Sequence, residues 1–134
     1  MLVADLKKIL ERSNGLEASM GFDIIQLDDG GIILELPVSP SHLNLNGTLH
    51  GGAYASLLDC VIGVNIRKLA GDPLVTVNLN ISYFAPAVEG EIIVATAKIL
   101  HQGYKIASGE GEIRNSEGKL LAKGSGTFKI LRSK

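Results

Sequence analysis

The sequence predicts an α+β domain in which one long central helix is wrapped by a mostly antiparallel sheet of about six strands. Three observations carry this expectation. The run from about His50 to Ala70 is apolar in almost every helical direction. Two β-rich runs precede it and four follow it. The last three runs are joined by short turns, the pattern of an antiparallel meander.

The elements follow in order. Val3 to Arg12 reads as a short amphipathic helix, with Val3, Leu6, Ile9 and Leu10 on one face and Lys7, Lys8 and Glu11 on the other. Ser13-Asn14-Gly15 stops it. Met20 to Leu27 and Ile32 to Leu36 flank the turn Asp28-Asp29-Gly30-Gly31, which predicts a hairpin. Pro37 to Leu49 has loop composition, rich in Pro, Ser, Asn and Gly. Ala53, Leu57, Leu58, Val61, Ile62, Val64 and Ile66 then cover nearly all directions of a helix, so burial on all sides is expected. Ala70-Gly71-Asp72-Pro73 ends it.

Four strands complete the chain. Leu74 to Phe84 alternates, placing Val75, Val77, Leu79, Ile81 and Tyr83 on one face and Thr76, Asn78, Asn80 and Ser82 on the other. Glu91 to Leu100, Ile106 to Arg114 and Leu120 to Leu131 follow, with turns at Gln102-Gly103 and Asn115 to Gly118. The 134 residues suit a single domain over 1–134.

Composition removes several classes of function. Lys and Arg total 13 against 14 Asp and Glu, so no basic footprint for nucleic acid exists. A single cysteine, Cys60, excludes an internal disulfide and a paired-cysteine metal site, and fits a reducing compartment. The first residues lack the basic-then-apolar order of a signal peptide, and no apolar run reaches membrane-spanning length. A cytoplasmic location with no membrane insertion is expected. His42, His50 and His101 lack metal-ligand spacing, so neither metal nor other cofactor is expected.

Two features could carry chemistry. In Gly47-Thr48-Leu49-His50-Gly51-Gly52 a loop runs into the long helix. Glycines there expose backbone N–H groups at the positive end of the helix dipole, where an anion or developing oxyanion is stabilised. They also suit tight packing of the loop against the sheet. Asp59 sits mid-helix between Leu57-Leu58 and Cys60-Val61-Ile62, a costly place for a carboxylate without a partner or a task. A helix stripe that touches water would also accommodate it. Asp59 lies eight residues after Gly51, about 12 Å along a helix axis. One carbonyl cannot reach both groups of one straight helix. If both act on one substrate they come from two chains, and two antiparallel copies of the helix in a two-fold dimer would supply them. Cys60, inside the helix, reads as packing rather than as a nucleophile.

The segment from Asn44 through Gly47-Thr48-Leu49-His50-Gly51-Gly52 to Asp59 resembles the signature of hotdog-fold acyl-CoA thioesterases, in particular the PaaI-like, phenylacetate-degradation branch. The strand Val75 to Tyr83, then Pro86 and Gly90, fits the same branch. The resemblance covers nearly the whole chain. It implies a dimer, often a dimer of dimers, and an acyl-CoA substrate. It implies Asp59 as general base or nucleophile and the Gly51 amide as the donor that polarises the thioester carbonyl. Asn44 would help place the water or carbonyl, and Thr76 would orient the attacking water. His50, Gly52, Tyr54 and Tyr83 are expected around the substrate, with Leu57 and Ile62 in an apolar acyl slot. Two other readings share the fold: a dehydratase of hydroxyacyl chains and a non-catalytic acyl-CoA sensor. A purely structural dimer module leaves Asp59 unexplained.

Overall fold

A computed structural model describes residues 3–12 and 14–132, except for the side chains of Leu10 and Glu11. Helix α1 spans Val3–Arg12, α2 Leu16–Met20, and the long helix α3 Gly51–Ala70. The strands are β1 Asp23–Gln26, β2 Ile32–Pro37, β3 Leu74–Tyr83, β4 Ile92–Gln102, β5 Ile106–Asn115 and β6 Leu120–Ile130. All pair antiparallel in one sheet, in the order β1-β2-β4-β5-β6-β3. The expected α+β hotdog arrangement is present, with α3 lying across the sheet.

Several boundaries differ from the expectation. Leu16–Met20 forms a helix that ends at Gly21 in the left-handed conformation (φ 75°), so the first strand begins at Asp23 rather than Met20. Ser13, part of the expected stop after α1, lies outside the described residues. Within the loop before α3, Pro40–His42 forms one 3-10 turn. His42 is buried there; its Nδ1 accepts from the Ser39 N–H and its Nε2 pairs with the Met20 carbonyl at 2.7 Å. That histidine ties the loop to α2.

Helix α3 starts and stops for local reasons. The His50 ring caps its first turn. Gly71 closes it with φ 76°, donating its N–H to the Arg67 carbonyl. Tyr54, Leu57, Leu58, Val61, Ile62, Asn65 and Ile66 are buried against the sheet. Burial on all sides is not what the structure shows. Gly51, Ala55, Asp59 and Gly63 form a half-exposed stripe, and Leu69 is exposed. The sheet covers one face, and α2 packs against part of the other, with α1 resting on β1 and α2.

Four glycines set how closely α3 approaches the sheet. Gly109 pairs with Gly126 and Gly111 with Gly124 across β5 and β6. A Cβ at Gly109 would stand 2.9 Å from the Ile62 side chain, and one at Gly111 3.0 Å from Leu58. Leu58 and Ile62 fill that glycine floor and are fully buried.

Asn65 fastens α3 to β2. Its Oδ1 accepts from the Ile32 N–H at 2.9 Å, and its Nδ2 donates to the Ile32 carbonyl at 2.8 Å and the Val61 carbonyl at 2.7 Å. Lys68 adds a hydrogen bond from its ammonium to the Gly30 carbonyl.

Strand β3 carries the main correction to the alternation. A bulge at Val77 lets Thr76 pair with Phe128 while Asn78 pairs with Thr127. Opposed residues of an antiparallel pair share a face. Thr76 therefore faces α3 with Phe128, and so do Leu79, Ile81 and Tyr83, opposite Gly126, Gly124 and Ala122. Val75 and Val77 turn outward and are 47% and 59% exposed. Strict alternation puts Thr76 on the wrong side because it takes no account of the extra residue.

Candidate active site

Two groups of candidate residues lie at opposite ends of β3. At its start, the Thr76 hydroxyl donates to Oδ1 of Asp59 at 2.7 Å. Asp59 and Thr76 line a cavity of about 180 Å³. Its apolar walls come from Leu6, Ile9, Ile24, Val64, Leu74 and Phe128. Gly63 and Arg67, one and two turns beyond Asp59 on the same stripe of α3, continue it.

Cys60 also lines this cavity. Burial pushes its thiol up to about 12, with Glu17 and then Asp59 adding negative potential. A thiol in that state supplies almost no thiolate at neutral pH.

At the end of β3, the Tyr83 hydroxyl donates to the Gly51 carbonyl at 3.0 Å. The Tyr83 ring meets the Tyr54 ring edge-on, with centroids 5.6 Å apart. Tyr54 is buried and donates to the Ala85 carbonyl at 2.9 Å. Burial, and then the charge of Glu91, raise its phenol above the usual value. Gly51, Tyr54 and Tyr83 line a shallow groove with Leu49, Phe84 and Pro86.

The backbone donors at the helix start divide. His50 Nδ1 accepts the Gly52 N–H at 2.8 Å, so that donor is already engaged. Nδ1 as acceptor leaves Nε2 as the protonated nitrogen of a neutral ring. The Gly51 N–H, first in the helix, has no intrahelical carbonyl to bond. A Cβ at Gly51 would meet Tyr83 at 3.5 Å, an ordinary contact, so packing within the chain does not require glycine there.

Asn44 organises its own loop. Its Oδ1 accepts from the N–H groups of Asn46 at 2.9 Å and Thr48 at 3.1 Å, and its Nδ2 donates to the Thr48 hydroxyl. Leu57 and Ile62, expected in the acyl slot, are core residues with 1% and 0% exposure and line neither cavity. The residues that do line the Asp59 cavity on α3 are Cys60, Gly63, Val64 and Arg67. Helical spacing from Asp59 points to Gly63 and Arg67, at i+4 and i+8. The contribution of α1 had no comparable local signal. Among the described residues no three His, Cys, Asp or Glu side chains gather as a metal site, and no helix is long and apolar enough to cross a membrane.

Comparison with known proteins identifies the family. The model of the thioesterase superfamily matches residues 46–122, from the loop before α3 into β6. Human acyl-coenzyme A thioesterase 13 is 37% identical over 128 residues, covering 90% of this chain and 88% of that protein. Acyl-coenzyme A thioesterase PaaI of Escherichia coli K12 is 31% identical over 106 residues, covering 78% and 74%. A Bacillus halodurans protein solved with CoA superposes with a TM-score of 0.82 at 31% identity, covering 98% of this chain and 90% of that one. The family match begins just before the helix cap and spans both Asp59 and Thr76, so the chain belongs to the thioesterase superfamily and is a PaaI-like, hotdog-fold thioesterase.

Proposed function

We propose that the protein hydrolyses an acyl-CoA thioester to a free acid and CoA, in sites shared between two copies of this chain. The observation that carries the reading is the Asp59–Thr76 pair beside an apolar cavity. The names of its relatives supply the substrate class.

The chemistry follows from the donors and acceptors. Thr76 occupies Oδ1 of Asp59, leaving Oδ2 to accept a proton from water. That water attacks the thioester carbonyl carbon, and the carbonyl π electrons move onto oxygen. The oxyanion accepts the Gly51 N–H at the helix N-terminus. The intermediate collapses, the C–S bond breaks, and the CoA thiolate leaves with the proton Asp59 had taken. The same carboxylate can instead attack the carbonyl carbon directly, breaking the C–S bond, expelling the CoA thiolate and giving a mixed anhydride; water then cleaves the anhydride to the free acid and Asp59, and the proton it releases goes to the thiolate. Asn44 keeps the loop ahead of Gly51 in shape. Tyr54, Tyr83 and the His50 Nε2–H border the Gly51 end of the substrate, with Gly52 fixing the His50 ring.

Assembly resolves the separation of Asp59 from Gly51. Among the described residues β3 is an edge strand whose outer backbone edge pairs with no other strand. Gly51 and Asp59 are centred on Ala55, and Thr76 and Tyr83 on Leu79-Asn80. A two-fold axis through both midpoints sets Asp59 and Thr76 of one subunit against Gly51 and Tyr83 of the other. The homodimer holds two such sites, and the outward-facing Val75 and Val77 suit a dimer of dimers.

The test is CoA thiol release from straight-chain and aryl acyl-CoAs by wild type and Asp59→Asn. The expected result is turnover by wild type and a loss of about a thousandfold in the variant with its fold intact. Tight binding without turnover by wild type would replace hydrolysis with sensing.

A further inference from the structure

We propose that Tyr83 is a positioning residue for the hydrolysis: its hydroxyl holds Gly51, and so aims the backbone N–H that meets the oxyanion. The role is exerted through Gly51 and not on the substrate. This rests on the reading of the Gly51 N–H as the oxyanion donor of a shared site.

Helix α3 begins on two glycines, Gly51 and Gly52. Glycine has the widest backbone freedom of any residue, so a helix that starts on two of them frays readily. A donor in a fraying turn contributes little to a transition state, because preorganisation is what gives such a donor its strength. The first turn of α3 is held from two sides. On the loop side, His50 Nδ1 accepts the Gly52 N–H at 2.8 Å. On the sheet side, the Tyr83 hydroxyl donates to the Gly51 carbonyl at 3.0 Å. Together these bonds fix both polar groups of the peptide unit that joins Gly51 to Gly52. The preceding unit is fixed through the His50 carbonyl, which accepts the Ala53 N–H at 2.8 Å. With the peptide units on both sides of its Cα held, Gly51 keeps one conformation and its N–H one direction.

Tyr83 is itself firmly placed. It ends β3 on the face toward α3, opposite Ala122. Its ring lies edge-on against Tyr54. The next two residues, Phe84 and Ala85, both donate their N–H groups to the Leu121 carbonyl of β6. Two further bonds tie this extension of the strand to the helix start. The Tyr54 hydroxyl donates to the Ala85 carbonyl, and the Leu49 N–H to the Ala87 carbonyl at 2.8 Å. They hold the residues on either side of Gly51, and the bond from Tyr83 reaches Gly51 itself. Thr76 and Tyr83, one near each end of β3, thus play matching parts. Thr76 sets Asp59 and Tyr83 sets Gly51 against the same strand. That strand lies at the proposed two-fold, so its pairing registers the donor of one subunit against the carboxylate of the other.

The test is Tyr83→Phe, which removes the hydroxyl and keeps the ring against Tyr54. On the best substrate among straight-chain and aryl acyl-CoAs, kcat is expected to fall about tenfold with KM little changed. In ¹⁵N relaxation the order parameter of the Gly51 amide is expected to drop from about 0.85 toward about 0.6. Unchanged kcat would overturn the assignment. A raised KM at unchanged kcat would also overturn it and make Tyr83 a substrate contact. A Gly51 amide as ordered in the variant as in wild type would overturn it whatever the rate. Mixing Tyr83→Phe with Asp59→Asn should restore a fast site, because Gly51 and Tyr83 of one chain then serve Asp59 of the other. Recovery by Gly51→Pro mixed with Asp59→Asn, but not by Tyr83→Phe, would overturn the assignment and leave the shared site standing. Turnover of no acyl-CoA by wild type would sink the hydrolytic reading, and this one with it.

Discussion

Thr76 donates its hydroxyl hydrogen to Oδ1 of Asp59 across the gap between β3 and α3, at 2.7 Å, and a bulge at Val77 is what turns it there. The bond fixes the rotation of a carboxylate on a half-exposed stripe of helix. Thr76→Val keeps the shape and removes the donor. Turnover is expected to fall about tenfold through kcat, with KM little changed, because a single hydrogen bond to a charged group is lost. Steady-state kinetics on any turned-over acyl-CoA checks this; unchanged kcat would remove Thr76 from the mechanism.

Gly51 permits a sharper test of the proposed oxyanion donor. It is the first helical residue, where proline is well tolerated. His50 before it is extended, with φ −63° and ψ 139°, as the residue before a proline prefers. Gly51→Pro should therefore fold while lacking the N–H. A drop in kcat of about a hundredfold or more is expected. Mixing it with Asp59→Asn should restore activity, because one site of the mixed dimer then holds an intact Asp59 and an intact Gly51. Failure of two folded, mixed variants to recover turnover would refute the shared site.

Cys60 should be silent toward alkylation in the folded protein. Its thiol is pushed from 9.0 to about 12, chiefly by burial. Labelling by iodoacetamide at pH 8, followed by mass spectrometry, should run about a hundredfold or more slower than in urea. The linkage has a definite sign. Below the ordinary thiol value both folded and unfolded chains keep the proton. As pH rises past 9.0 toward about 12, only the unfolded chain ionises, so this contribution to stability is lost on the alkaline side. Fast native labelling would contradict the burial of the sulfur.

Asn65 should matter to stability and not to chemistry. It is 7% exposed and completes both backbone groups of Ile32. Asn65→Leu leaves that N–H and that carbonyl buried without their partner. A loss of about 2–3 kcal/mol in urea unfolding is expected. A change well under 1 kcal/mol would show that β2 is held by its strand neighbours alone.

How much of this was legible in the residues depends on how local each cause is. The α3 boundaries follow from a capping residue and a terminal glycine that are neighbours in sequence, His50 and Gly71. The glycine-led loop and the mid-helix carboxylate are likewise features of one continuous segment, and their eight-residue separation was enough to argue for two chains. The short helix at Leu16–Met20 was not legible, since five residues carry too little periodicity.

The amino-acid sequence by itself determined the class of fold, the long helix, and the singling out of Asp59 and Gly51 as candidates, because each rests on the local pattern of one continuous segment. The tertiary structure decided what depends on partners distant in the chain. It placed β3 beside β6 at the sheet edge rather than in sequence order. It turned Thr76 inward, since a bulge exists only relative to the strand it pairs with. It set the glycine floor beneath Leu58 and Ile62, which needs two strands in register and a helix above them. It also formed the cavity beside Asp59 from side chains of α1, α3, β1, β3 and β6, because burial is a property of everything packed around a group and of no single stretch of chain.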